Sequence, residues 1–300
     1  MKETKKKHTV IKAILTCFLV IMLLFVIYPF IPKARKVPPI TKLNDTTYHF
    51  SDGSTNSCMY LLLGEEKALL IDTGFGLCKL EEAVGNITDL PITVVNTHGH
   101  YDHVGNNALF DDIYMSEKDF DLYAYYAKEE TLDWVYNQVP FVFRHLMRQE
   151  IQAVKKNQPG EVKPLPEEGY FDLGGRIITF FETPGHTPGS ICLYDEGTHW
   201  LFVGDTAGTL LNLPLSLSVE SYLESVEVIN AFIDENGVTS IYPGHMPIAR
   251  DPSIFRSFEQ ACRDILAGDI SEKEKKNGKH SVDGVTIDFF PDVIFKADEK

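Results

Sequence analysis

The chain has 300 residues, 28 of them basic and 43 acidic, for a formal net charge of −15. Residues 1–36 carry eight Lys/Arg and one Glu, a balance of +7, which leaves −22 on residues 37–300. That acidity argues against a nucleic-acid partner, because phosphates would be repelled, and a hydrophobic content of 44% rules out disorder.

Residues 13–31 form an uncharged run of nineteen, AILTCFLVIMLLFVIYPFI. As a helix such a run spans roughly 28 Å, close to the hydrocarbon thickness of a bilayer. Its end, PFIPKARKVPP, has no small-residue cleavage pattern, and Cys17 lies inside the run. The expectation is therefore an uncleaved signal-anchor helix over 13–32. Five lysines precede it (Lys2, Lys5, Lys6, Lys7, Lys12), and Lys33, Arg35 and Lys36 follow it. The positive-inside rule then places residues 1–12 in the cytoplasm and the acidic domain outside it.

Residues 33–43 read as a Pro-rich linker, and 44–300 as one catalytic domain. TTYHFS, SCMYLLLG and KALLID follow one another as short strands broken by turns, the pattern of antiparallel hairpins. A helix is expected over 77–84, then an apolar strand, PITVVNT. Residues 117–156 have helical character and are divided by Pro140. Strands return at GYFDL, RIITFFET, SICLYD and HWLFVGD. Helices fit 219–234 and 253–266, with the strand SIYP between them. SEKEKKNGKH reads as a solvated loop, and SVDGVTIDF and DVIFKA as two closing strands. Sheets covered by helices on their outer faces fit this order. Cys58, Cys78, Cys192 and Cys262 show no CxxC spacing and read as buried small apolar groups.

The chemistry concentrates in THGHYDHVGN, which places His98, His100, Asp102 and His103 within six positions. In a turned loop His98 and His100 point the same way and can share one ion. Asp102 and His103 fall where the chain enters the next helix, facing a neighbouring position. Imidazole with carboxylate and no thiolate suits Zn²⁺, Fe²⁺ or Mn²⁺. Each ion needs further ligands, and three candidates stand at the ends of apolar strands: His186 in ETPGHTPGS, Asp205 in LFVGDT and His245 in IYPGHMP. His8, His49, His145, His199 and His280 read as ordinary surface or core residues.

From about residue 46 to 247 the chain resembles the metallo-β-lactamase superfamily, in its glyoxalase II/lactonase-like branch. IDTG at Asp72, HxHxDH at 98–103, TPGHTPGS at His186, GD at Asp205 and PGH at His245 occur in the family's order. The resemblance implies an α/β, four-layer αβ/βα sandwich with the site along one edge. It implies that His98, His100 and His186 hold a first metal and that Asp102, His103 and His245 hold a second. Asp205 would bridge the two ions, and Asp72 would fix the geometry from behind. The cofactors expected are two divalent ions, Zn²⁺ first, with Mn²⁺ or Fe²⁺ as alternatives.

Two such ions make hydroxide available at neutral pH and polarise a carbonyl or phosphoryl oxygen. The expected reaction is cleavage of an ester, thioester, lactone or phosphodiester by metal-bound hydroxide, with Asp102 and Asp205 as the catalytic carboxylates. Members that hydrolyse antibiotics usually carry Cys or no ligand where Asp205 stands, and flavodiiron members carry Glu where His100 stands. Two other readings stay open: an iron-dependent oxidoreductase of the persulfide dioxygenase type, and a binding module that kept the fold.

Between His103 and His186 lie 82 residues, with a helical insertion at 117–166. Its aromatics, among them Trp134, Tyr136, Phe141 and Phe143, either fill the core of a cap or cover the metal cleft. A covering role favours a small-molecule or lipid-like ester with an acyl chain or aromatic group.

Overall fold

The computed structural model describes residues 36–52, 56–128, 161–208, 212–246 and 249–296, together with Phe18, Met22, Glu130, Thr131, Asp133, Asn137 and His145. The first sheet has seven strands in sequence order. β1 (Ile40–Asn44), β2 (Thr47–Ser51), β3 (Cys58–Leu63) and β4 (Ala68–Ile71) pair antiparallel, as the hairpin reading expects. β5 (Ile92–Val95), β6 (Ile113–Met115) and β7 (Lys163–Pro164) then add in parallel.

The second sheet runs β13-β11-β10-β9-β8. It contains β8 (Tyr170–Asp172), β9 (Ile177–Glu182), β10 (Ile191–Asp195), β11 (Trp200–Gly204) and β13 (Ser240–Pro243). β13 lies parallel to β11, and the other neighbours are antiparallel. A small third sheet joins β12 (Asn212–Pro214), β15 (Val285–Asp288) and β14 (Lys279–Val282).

The strand alternation decides the layers. On β3, Cys58, Tyr60 and Leu62 face the second sheet, while Met59 and Leu61 face the helix α1 (Leu80–Gly85). On β10, Ile191 and Leu193 face the first sheet. Cys192 and Tyr194 face the other way, onto α4 (Val219–Asn236) and α5 (Ile254–Ala267). Two sheets therefore pack face to face with helices outside both. Val219, Tyr222, Val226 and Ile229 keep the three-and-four spacing that turns one stripe of α4 inward. Arg176, one-tenth exposed, ties the sheets together: it donates to Thr46 O (2.9 Å), Leu63 O (3.0 Å) and the buried Asp195 Oδ2 (2.6 Å).

Several expectations need correction. SEKEKKNGKH is not a loop, since Glu272–Asn277 form helix α6 and β14 follows. The helix buries no residue, and its caps hold it: Ser271 and Glu274 form a reciprocal capping box, and Gly278 closes it at φ 63°. DVIFKA is no strand. Its backbone runs through turns, and Ile294 O accepts from Glu220 N (3.1 Å) at the start of α4. The helix expected over 77–84 begins only at Leu80, because Gly74 and Gly76, at φ 69° and 92°, hold the preceding segment as a loop. The chain joins the first sheet at Ile40, inside the stretch read as a linker.

Among the described residues no helix is long and apolar enough to cross a membrane. The expected anchor over 13–32 lies outside the described residues except for Phe18 and Met22. In the insertion, α3 (Phe120–Tyr126) is described, whereas Trp134, Tyr136, Pro140, Phe141 and Phe143 lie outside the described residues. Cys58, Cys78, Cys192 and Cys262 are buried in the three core clusters, as their spacing suggests.

Candidate metal centre

β4 and β5 are parallel, as are β11 and β13, so their carboxyl ends meet along one edge where the two sheets face each other. Each motif sits at such an end. Asp72 follows β4, and the segment from Asn96 to His100 follows β5. Asp102 and His103 stand on α2 (Tyr101–Val104), a single turn entered from an extended His100. His186 lies between β9 and β10, Asp205 directly follows β11, and His245 follows β13.

These residues converge. His98, His100 and His186 bring ligand atoms within 4.8 Å of one another, as do Asp102, His103 and His245, and as do His98, His103 and Asp205. Asp205 lies between the first two sets: its Oδ2 is 3.5 Å from His186 Nε2 and 3.4 Å from His245 Nε2, and its Oδ1 is 3.5 Å from His103 Nε2. Asp102 Oδ2 is 3.3 Å from His245 Nε2 and accepts from Ser57 Oγ at 3.3 Å.

The ring tautomers follow from their outer partners. Pro214 O can only accept, so His186 donates to it through Nδ1 (2.7 Å) and turns Nε2 into the cluster. Thr97 gives its N–H and its hydroxyl to Asp72 (both 2.8 Å), so its oxygen accepts from His98 Nδ1 (3.1 Å). His98 Nε2 and His186 Nε2 both face His100 Nδ1, at 3.0 and 2.9 Å. His103 Nδ1 donates to Asp72 Oδ2 at 2.8 Å, which aims its Nε2 into the cluster.

The electrostatics divide the same way. Burial, then His103 and its neighbouring imidazoles, holds His98 well below the usual range, and burial with His186 takes His100 down to about 3. Both are neutral and offer lone pairs. Burial opposes charge on His103, but the Asp205, Asp72 and Asp102 carboxylates hold it well above the usual value. At His245 burial is likewise overcome, and Asp205 with Asp102 drives the ring up to about 10. Asp205, against the pull of burial, is held well below the carboxylate range by His103 and His245. Asp102 is lowered the same way. Protons on His103 and His245 thus stand where a cation would take over the same carboxylates.

This donor set fits divalent metal ions. The atom that says so is Asp205 Oδ1, buried and without a hydrogen-bond partner, faced only at 3.5 Å by the His103 ring, an expensive state for a carboxylate oxygen that a cation closer in would relieve. Cys58 lies close by, but burial pushes its thiol up to about 12, so it supplies no thiolate at neutral pH.

All seven residues marked in the sequence meet here, with Asp72 behind them. Sequence reading missed Thr97, the Pro214 carbonyl and Asp119. Only Thr97 carried a signal, as the residue that opens the histidine motif. Asp119 lies twenty positions beyond Gly99, and Pro214 twenty-eight beyond His186.

The sequence matches the profile of the metallo-beta-lactamase superfamily over residues 52–272. It is 30% identical over 226 residues to the acyl-coenzyme A thioesterase MBLAC2 of Bos taurus, covering 69% of this chain and 79% of that protein. It is also 30% identical over 222 residues to a probable metallo-hydrolase of Methanocaldococcus jannaschii, covering 69% of this chain and 92% of the other. A metallo-beta-lactamase from Pontibacter korlensis shares the fold with a TM-score of 0.54 at 20% identity, over 76% of this chain and 99% of that one. The chain belongs to the metallo-beta-lactamase superfamily and is a hydrolase of that fold.

Proposed function

We propose that the protein hydrolyses an ester-type bond, best a thioester or ester of an apolar acyl group, with two divalent cations, Zn²⁺ first, in the cluster. The observation that carries this reading is the pair of ligand sets on either side of Asp205, whose Oδ1 is buried without a hydrogen-bond partner. His98, His100 and His186 would hold one cation and Asp102, His103 and His245 the other, with Asp205 close to both sets. Such a pair of ions supplies hydroxide at neutral pH and polarises the scissile carbonyl. Asp102, whose side chain is more exposed than that of Asp205 and is oriented by Ser57 Oγ, would take the proton released on attack. Asp72, Thr97 and Pro214 O hold the imidazoles in the tautomers the ions require.

The acyl preference rests on two supports. One is the likeness to acyl-coenzyme A thioesterases, at 30% identity for the bovine protein. The other is an aromatic wall beside the cluster. Tyr126 lies edge-on to His100 with ring centroids 5.6 Å apart, Tyr101 is 5.2 Å beyond Tyr126, and Phe75 is 5.4 Å beyond Tyr101. Rings of this kind receive a hydrocarbon chain and offer no charge to bind an ionic acyl group.

The test is a panel of thioesters and esters of rising acyl length, with the wild type and Tyr126→Ala. Hydrolysis is expected to favour longer acyl chains, and Tyr126→Ala to lose about tenfold on these with little change on acetyl substrates. Equal loss on every chain length would overturn the wall. Absence of hydrolysis across the panel would overturn the reaction.

The apolar run over 13–32 serves in this reading as a signal-anchor helix that leaves the catalytic domain outside the cytoplasm. Its support is the length of the run and the flanking lysines, together with Phe18 and Met22, which are helical and exposed. Protease added to intact cells is expected to remove the domain, and protection of the domain would overturn the orientation.

A further inference from the structure

Asp119 breaks a local rule. It immediately precedes α3, a position where an aspartate ordinarily caps the helix that follows, yet its side chain makes no capping bond there. Its acceptors go elsewhere. Oδ2 accepts from Gly99 N at 2.8 Å and from Thr187 Oγ1 at 2.7 Å, and Oδ1 accepts from Gly189 N at 2.7 Å. The residue is fully buried with no cation paired to it in any of these contacts. Three donors converging on one group call for a side chain that only accepts, which is a carboxylate and not an amide.

The donors identify the purpose. Gly99 stands between His98 and His100, while Thr187 and Gly189 follow His186. One carboxylate therefore clasps the two loops that together deliver His98, His100 and His186. It also explains two glycines in the motifs. A Cβ on Gly189 would lie 2.7 Å from Asp119 Cγ, and one on Gly99 would lie 3.1 Å from Asp119 O. Both loops must be bare there to approach the clasp. The other ligand set rests on Asp72, which bonds His103 directly and reaches the first set only through Thr97 and His98.

We propose that Asp119 is a positioning residue for the first ligand set, fixing the His98–His100 loop against the His186 loop so that one of the two cations depends on it and the other does not. The proposal rests on reading the cluster as a two-cation centre. Asp119 touches the loops of the first set alone, whereas Asp72 holds His103 directly and meets the first set only at His98, through Thr97. Because α3 follows directly on Asp119 and ends at Tyr126, the same residue also sets where the aromatic wall meets His100.

The experiment is a chelator competition on the full chain loaded with Co²⁺, whose absorption spectrum reports ligand geometry, for the wild type, Asp119→Asn and Thr187→Val. In Asp119→Asn one cation is expected to leave at about 10–100-fold lower chelator concentration, with the other retained as in the wild type, the loss usual for an outer partner of a metal ligand. Thr187→Val removes a single donor and is expected to weaken the same cation by a smaller factor. If Asp119→Asn fails to fold, judged by near-UV circular dichroism, Thr187→Val decides by the same criterion. The proposal is overturned if the deciding variant holds both cations as the wild type does, or loses both in parallel. A wild-type chain that binds no divalent cation would instead overturn the two-cation reading, so the two failures are distinguishable.

Discussion

Asp72 Oδ2 lies 2.8 Å from His103 Nδ1, and that one bond decides which nitrogen of His103 faces the cluster. Asp72 adopts φ 61°, a left-handed conformation that an aspartate tolerates, and this turns its carboxylate back under the β5 loop. From there it also receives the N–H and hydroxyl of Thr97. The turn at the end of β4 is thus both a strand terminator and the support for a ligand.

Replacing Asp72 by alanine removes the acceptor for three buried donors. The expected cost is about 1–3 kcal/mol of stability, the desolvation penalty of groups left unpaired, measured by urea denaturation of the metal-free chain. Cation affinity at the His103 set is expected to fall about 10–100-fold in chelator competition. An unchanged affinity would mean that His103 needs no support.

The ligands themselves separate by stoichiometry. His186→Ala is expected to retain one bound cation per chain and Asp205→Ala fewer than one, because Asp205 faces both sets. Elemental analysis after dialysis reads this directly. Both variants are expected to lose more than about 100-fold in hydrolysis, beyond the range seen for outer partners of a metal ligand.

Acid sensitivity has an identifiable source away from the cluster. His49 on β2 is buried, its two ring nitrogens have no hydrogen-bond partner, and burial takes it down to about 4 from an ordinary value of 6.5. Between those values the unfolded chain binds a proton that the folded chain does not. Folding stability is therefore intact above about pH 6.5 and falls as the pH drops towards about 4, by about 3 kcal/mol in total. In His49→Phe this share of the acid loss is expected to vanish, seen as a shallower fall of the urea midpoint between neutral and mildly acid buffer. A slope equal to the wild type would assign the loss elsewhere.

Much of this site was legible in the sequence because ligands must follow strand ends. His98, His100, Asp102 and His103 occupy one short loop, and His186, Asp205 and His245 each end an apolar run. The hairpins of the first sheet and the long helix α4 were legible for a similar reason, since alternation and the 3.6 period are local. What stayed hidden depends on distant partners. Asp119 carries no mark in the sequence, and its clasp exists only once the His98 and His186 loops fold against it. Arg176 reads only as the first residue of the strand RIITFFET, and its partners, Thr46 in the β1–β2 turn and Leu63 on β3, lie more than a hundred positions away. For α6 a local signal existed, Ser271 with Glu274 three residues later, and the run of charge around it masked the capping box.

Arg176 gives a stability prediction independent of metal. Arg176→Met leaves the Asp195 carboxylate, itself fully buried, without its cation. The expected loss is about 3–5 kcal/mol, as for removal of one partner from a buried pair. A urea midpoint within error of the wild type would show that Thr198 Oγ1, which donates to Asp195 Oδ2 at 2.7 Å, suffices.

The most direct measurement is the rate of acyl-thioester hydrolysis by the full chain, stripped of metal and titrated with Zn²⁺. A two-cation hydrolase is inactive when stripped, gains activity as Zn²⁺ is added and reaches its plateau at two equivalents per chain. Full activity in the stripped protein, or no hydrolysis of any thioester or ester with two equivalents bound, would contradict it.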